Sequence, residues 1–459
     1  MFKKFSSFVL FMICMCLIVA LVGCGAEGAP MNSFVKGDSA VSKEAAYLAP
    51  GEGVDYGASY ADEVSGEYAE EGIREGEEVI NVDEFDEDPR QTVYRMTAAA
   101  WNDNDHYRDW LTLFVKDQEG QIYFEGIKSW GLNSRSRLTV TVKASDQAVS
   151  GAAVICKDKL GVKKFSAITD TNGVAYVFPE VDAGTIEVVA GSQTGIADFD
   201  LSKSEEIEIL LDSSEQLFAK PTGIRLMFVV DVTGSMGDEL SFLKNELLSV
   251  LESVEKANAN VPIYLSMLFY RDDGDREKFN FTDFALVDLN KQTQNDAFKK
   301  LMNEMDKQVA DGGGDYPEAL DEALQMAVEQ GRWGNENETR ILFHIYDAPA
   351  HEESNHEVVF EKAVRSAAEK GIRICPVLCS GADVLCEYLG RQAAIYTGGT
   401  SVFVTDDSGI GGSHLDPNIP ERTVEYLDDL IVRLINGYFT GTFEEPVSIY
   451  GTENVQQDG

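Results

Sequence analysis

The hydrophobic and polar positions divide the chain into stretches of different period. Phe8 to Val22 is continuously apolar, and residues 25–90 show no period at all. From Leu138 to Asp212 apolar and polar residues alternate, in Leu138–Val142, Ala152–Cys156, Lys164–Thr169, Val174–Phe178, Thr185–Val189 and Glu206–Leu211. Turn signals such as Asp170-Thr-Asn-Gly173 separate these runs. A period of two marks half-buried strands, and short strands at this spacing predict a small all-β sandwich over 138–212. Upstream, Leu111–Val115 and Gln121–Phe124 predict short strands, so 91–137 reads as a β-rich connector.

After Pro221-Thr-Gly the pattern becomes strand–helix alternation. Ile224–Val230 is apolar except for Arg225, as a strand buried on both faces must be. Leu240, Leu243, Leu247, Leu251 and Val254 follow at helical spacing. Ile263–Tyr270 and Phe284–Val287 predict strands, and Ala297–Met305 and Ala319–Val328 predict helices, the latter ended by Gly331. Ile341–Ile345 is again a strand and Val358–Ala368 a helix ended by Gly371. Ile372–Leu378, Ser401–Val404 and Tyr426–Leu434 complete the series. The fold class expected for 222–440 is α/β, a doubly wound, mostly parallel sheet, with 441–459 as a tail.

Composition changes the picture at the amino terminus. With 459 residues and 44% hydrophobic content the chain can build a sizeable core, yet its formal charge is -41. Such a surface is repelled by phosphate backbones and anionic lipid headgroups, which excludes nucleic-acid binding and electrostatic membrane adsorption. Residues 51–90 hold 15 acidic residues against Arg74 and Arg90, so 24–90 is expected to be a disordered acidic linker. Lys3 and Lys4 before the 15-residue apolar run make a secretory signal, the run being short for a membrane span. Leu21-Val-Gly-Cys24 resembles a bacterial lipobox. That resemblance implies a signal peptide over 1–23, cleavage before Cys24 and lipidation of its sulfur. The expected location is therefore the extracytoplasmic face of a bacterial cell membrane, with membrane contact through the lipid anchor only.

Cys156, Cys375, Cys379 and Cys386 then remain, without a Cys-x-x-Cys pair. Cys375 and Cys379 lie on one predicted strand, ~13 Å apart, too far for a disulfide, so buried small hydrophobes are expected. The Asn and Asp residues between Trp101 and Trp110 lack EF-hand spacing and read as a turn between core tryptophans. His351 and His356 lack zincin spacing and read as solvated loop residues. No Gly-x-Ser-x-Gly elbow is present.

The polar residues at the strand ends carry the chemistry. Asp231 follows the first buried strand and leads through Val232-Thr233-Gly-Ser235-Met into a helix. Asp315 sits in Gly312-Gly-Gly-Asp-Tyr-Pro-Glu318 before another helix, and Asp347 follows the Ile341–Ile345 strand. Carboxyl ends of strands are where α/β sheets bind ligands, and carboxylates with hydroxyls suit a hard cation. Tyr270, Arg271 and Asp272 end the second strand near the same rim, joined there by Glu318 and His351.

Asp231-x-Thr233-x-Ser235, with the loops at 312–318 and 347–351, resembles the von Willebrand factor A domains. The resemblance implies a metal-ion-dependent adhesion site. Asp231, Thr233, Ser235, Asp315 and Asp347 would hold Mg²⁺ (or Mn²⁺ or Ca²⁺). Integrin-type members have Thr where this chain has Asp315, which predicts tighter cation binding and weaker attraction for an acidic ligand. Gly151-Ala-Ala-Val154, Thr169–Gly173 and Val177-Phe178 resemble transthyretin-like or carboxypeptidase-regulatory-like sandwiches, which implies a spacer or a binding module. The function expected is cation-dependent binding of a protein, matrix or envelope ligand at the bacterial surface, without enzymatic turnover. The competing readings are a metal-dependent hydrolase or enzyme subunit, with Glu318 or His351 as base, and a structural envelope scaffold.

Overall fold

The computed structural model describes residues 95–115, 121–212, 220–290, 292 and 294–451. The stretch expected to be a secretory signal, Cys24 and the acidic stretch to residue 90 lie outside the described residues.

The chain opens with strand β1 (Thr97–Trp101) and helices α1 (Tyr107–Thr112) and α2 (Gln121–Trp130). Strands β2 (Leu138–Ala144), β3 (Gln147–Ala148), β4 (Ala153–Asp158), β5 (Lys163–Ile168), β6 (Val174–Val177), β7 (Ala183–Ala190), β8 (Gln193–Asp200) and β9 (Glu206–Leu211) follow. Then come β10 (Ile224–Asp231), α3 (Gly237–Ala257), β11 (Ile263–Tyr270), β12 (Phe279–Leu286), α4 (Asp296–Lys307) and α5 (Leu320–Gln330). The chain continues with β13 (Thr339–Tyr346), α6 (Ser354–Glu369), β14 (Ile372–Leu378), α7 (Val384–Thr397), β15 (Ser401–Thr405), β16 (Val424–Tyr426) and α8 (Leu427–Thr440).

The main sheet has eight strands in the order β12-β11-β10-β13-β14-β15-β1-β16. β11, β10, β13, β14 and β15 run parallel, with β12 antiparallel on one side and β1 antiparallel to β15 on the other. Each face of β10 is buried, Ile224, Leu226, Phe228 and Val230 against α3, α4 and α8, and Met227 and Val229 toward α5, α6 and α7. That two-sided cover is why the strand lacks alternation. Both cores are apolar, and the fold is α/β.

Residues 138–211 form two four-stranded sheets. In the first, β2 pairs with β3, β6 and, in parallel, β9. The second runs β5-β4-β7-β8, antiparallel throughout. Their buried faces join the core that continues under α6 and α7. Phe178 stacks on Tyr396 of α7 with ring centroids 4.3 Å apart, Arg365 of α6 pairs with Glu180, and Lys163 reaches Glu369 at 2.8 Å. Gly371 is a glycine of necessity: its φ is +64° and a Cβ would fall 2.8 Å from Ile168. Residues 336 and 371, which this β unit touches, precede β13 and β14. The unit therefore sits at the end of the sheet opposite the carboxyl ends of the parallel strands.

The segment read as a β-rich connector departs from expectation. Thr97–Trp101 is a strand of the main sheet, Leu111 and Thr112 belong to α1, and Gln121–Phe124 opens α2. The alternation in Leu-Thr-Leu-Phe yields to a tertiary demand, because Trp110, Tyr123 and Trp130 all turn into the core beside α7 and α6. Asp103 is no calcium ligand. Both its oxygens accept from the buried Arg391 guanidinium, at 2.9 and 2.6 Å, and Arg391 also donates to Glu387 at 2.7 Å. Cys156, Cys375, Cys379 and Cys386 are buried and unpaired.

Candidate functional site

Three loops meet at the carboxyl ends of the central strands. Asp231 ends β10 and is fully buried. Its Oδ1 accepts from the Thr233 N–H (2.9 Å) and the Thr233 hydroxyl (2.8 Å), while its buried Oδ2 has no partner. This local turn sets Ser235 in the middle of a short 3-10 turn, Gly234–Met236, that precedes α3. The second loop is tied to the first, since Gly234 N–H donates to Gly312 O (3.2 Å) and Asp311 N–H to Val232 O (3.1 Å). Gly313 (φ +71°) lies between them, and a Cβ there would come within 2.7 Å of Glu318 Oε1 and 3.2 Å of Thr233. The third loop follows β13. Glu318 N–H donates to Pro349 O (2.9 Å), and Asp347 is buried with Oδ1 unpartnered.

The second loop holds its site in an arrangement the sequence did not predict. Asp315 is exposed and makes no hydrogen bond or ion pair among the described residues. Glu318, expected on the rim, is 4% exposed with Oε2 unpartnered. Asp315, expected as the second loop's ligand, lies on the exposed lip of the cleft, while Glu318, three residues on, is turned inward. Thr233, Ser235, Asp315, Glu318 and Asp347 line a common cleft of about 420 Å³.

Electrostatics mark the same residues. Burial pushes the Asp231 carboxyl up to about 7, against the Thr233 N–H and with help from the Asp347 charge. Glu318 is pushed up to about 9, by burial first and then by Asp231, Asp272, Asp275 and Asp347. Asp347 is raised by burial, with the Ser235 hydroxyl opposing and Glu239 reinforcing.

The other rim residues divide. Tyr270 is wholly buried with its hydroxyl unpartnered, so it is core rather than rim. Arg271 donates to Asp311 O (2.9 Å) and Val309 O (2.8 Å) and lines a neighbouring cleft instead. Asp272 Oδ1 lies 2.8 Å from His351 Nε2. Burial opposes the His351 charge, but the Asp272 hydrogen bond and charge outweigh it and raise the imidazole. His356 is buried in the first turn of α6, 3.2 Å from both Asp321 oxygens, with its ring 5.2 Å from that of His351. Neither histidine is the solvated loop residue expected earlier: His351, in the third loop, is held by Asp272, and His356 ties the first turn of α6 to Asp321 in the first turn of α5.

Glu239 and Ser380 escaped the sequence reading. Glu239 Oε1 accepts from Ser380 N–H (3.2 Å) and Oγ–H (2.9 Å), and Oε2 is buried without a partner. An acidic residue in a first helical turn reads as dipole compensation, which hides such a role.

Among the described residues no group of three or more His, Cys, Asp or Glu side chains is arranged to hold a metal ion. The donor chemistry nevertheless fits a hard cation. Asp231 Oδ2, Glu318 Oε2 and Asp347 Oδ1 are buried carboxylate oxygens without partners, and the hydroxyls of Thr233 and Ser235 adjoin them. Unpaired buried carboxylates are costly, and a divalent cation is the group that offsets several at once.

Residues 225–387 match the von Willebrand factor A domain family, and this region of the chain is such a domain. A domain of this class supports a protein-interaction or adhesion-type role, and such domains commonly bind divalent cations. A stretch of 135 residues, 29% of this chain, is 24% identical to the alpha-protein kinase vwkA of Dictyostelium discoideum. The match spans a fifth of that relative's length. This likeness overturns the expectation of a chain without an enzymatic role, since the aligned protein is named as a kinase.

Proposed function

We propose that Asp231, Thr233, Ser235, Glu318 and Asp347 hold a divalent cation, Mg²⁺ first and Mn²⁺ or Ca²⁺ as substitutes, through which the protein engages a partner. The observation that carries this reading is the trio of buried, unpartnered carboxylate oxygens on three adjoining loops, Glu318 and Asp347 lining one cleft and Asp231 held by Thr233 of the same lining. When bound, the cation supplies a positive centre with an open position for a partner oxygen. The chain's own residues orient it: Thr233 fixes Asp231 Oδ1 and leaves Oδ2 free, and the 313 glycine admits Glu318 to the site. The β unit of residues 138–211 is read as a sandwich-type base that holds the cleft outward. The Leu21–Cys24 tetrad supports a lipid-anchored protein on the extracytoplasmic face of a bacterial membrane, meeting a protein, matrix or envelope ligand. Among the described residues no helix is long and apolar enough to cross a membrane.

Titration with Mn²⁺ followed by electron paramagnetic resonance tests the cation reading. Wild-type protein should remove free Mn²⁺ signal at one saturable site and Asp231→Ala should not; equal uptake by both would refute it. A second reading, coupling of this domain to phosphoryl transfer, is supported by the kinase-named relative. Transfer of labelled phosphate from ATP to the chain or to a generic protein substrate, abolished by Asp231→Ala, would establish it.

A further inference from the structure

We propose that the partner segment received by this cleft is basic, with lysine or arginine side chains flanking a neutral oxygen, a hydroxyl or main-chain carbonyl, that completes the cation. The inference rests on the cation reading above and specifies its partner. Several other buried carboxylates have an arginine: Asp103 and Glu387 share Arg391, Glu425 meets Arg433, and Asp428 meets Arg95, while Asp272 and Asp321 have histidines. The carboxylates around the cleft have neither. Asp231, Glu318, Asp347 and Glu239 each keep a buried oxygen with no partner.

Among the described residues, no lysine or arginine lines the cleft. Of the nearby cations, Lys278 is neutralised by Asp273 and Glu322; Arg271, held on main-chain carbonyls, keeps its charge and acts on Asp231 from the neighbouring cleft, one positive charge against the several carboxylates here. Arg276 and Lys307 line the adjoining cleft, where Asp275, Glu277, Glu304 and Asp311 outnumber them. A divalent cation offsets two of the three ligand carboxylates and leaves one negative charge. Asp315 on the lip and Glu239 behind Asp347 add to it. An incoming carboxylate would meet this net negative field at short range, whereas a basic segment is drawn in by it.

The test immobilises the full chain in Mg²⁺, applies a display library of short random peptides, elutes with EDTA and sequences the eluted peptides. They should carry net positive charge. Asp315→Asn should weaken a selected peptide about fivefold, while Glu252→Gln, far down α3, should change it less than about twofold, because screening confines the effect to nearby charges. Enrichment of Asp and Glu, or equal losses in the two variants, would overturn the proposal. A calorimetric Mg²⁺ titration of the same preparation separates the two failures. If the cation binds but eluted peptides are acidic or absent, only the basic-partner proposal falls. If no cation binds, the cation reading falls with it.

Discussion

Asp231→Asn separates what the site costs from what it does. Asparagine keeps an acceptor for the Thr233 N–H and hydroxyl, so the turn survives, but the buried charge is gone. In the metal-free protein Asp231 is raised from its ordinary 3.8 to about 7. At ~1.4 kcal/mol for each tenfold change in proton affinity, that displacement is worth roughly 4 kcal/mol. The sign follows from linkage: a raised carboxyl stabilises the fold below its unfolded value, and that contribution is lost as pH rises through 7. In EDTA above about pH 7.5 the variant should therefore be more stable than wild type, by about 2–4 kcal/mol once the new amide's own unmet donors are counted. The gap should close below about pH 4. Mg²⁺ at about a thousandfold excess over Kd should reverse the order, because wild type gains about 4.1 kcal/mol there and the variant little. Urea denaturation followed by far-UV circular dichroism, with and without EDTA across pH, reads all three quantities. A variant less stable than wild type in EDTA at pH 8, or a gap independent of pH, would refute the reasoning.

Other consequences are as direct. Gly313→Ala forces a side chain into φ +71° and against Glu318, so it should cost about 1–3 kcal/mol and weaken Mg²⁺ at least about tenfold, read by calorimetry and melting. Arg391→Met strands Asp103 and Glu387 without a countercharge and should lower stability by about 3–5 kcal/mol in urea; a loss under about 1 kcal/mol would mean the network is not structural. His351 is raised above 6.5, so its contribution is full below 6.5 and lost as pH rises through the folded value. In an Asp231→Asn background, His351→Gln should lower the melting temperature near pH 6 and leave it unchanged near pH 9.

The parts of the fold legible in the sequence are those fixed by local pattern. Ile224–Val230 and Ile341–Ile345 could be read because strands buried on both faces are apolar throughout, and α3 because its buried leucines keep helical spacing. Helix α7 was missed for the opposite reason: it is buried nearly all round, with Glu387, Arg391 and Gln392 inside, so no amphipathic stripe announces it. Thr-Ala-Ala-Ala-Trp101 has little strand character of its own and becomes β1 through pairing with residues some three hundred positions away. At the site, the strand-end position of Asp231 and Asp347 was visible. The burial of Glu318 beside an exposed Asp315 was not, since it depends on which carboxylate the chain around Pro317 turns inward.

The central claim is tested most directly by calorimetric titration of the protein with Mg²⁺, Mn²⁺ and Ca²⁺, beside Asp231→Ala, Glu318→Gln and Asp315→Asn. The account predicts one saturable site, abolished by Asp231→Ala and weakened far more by Glu318→Gln than by Asp315→Asn. Absence of binding by the wild type, or binding indifferent to Asp231 and Glu318, would contradict it.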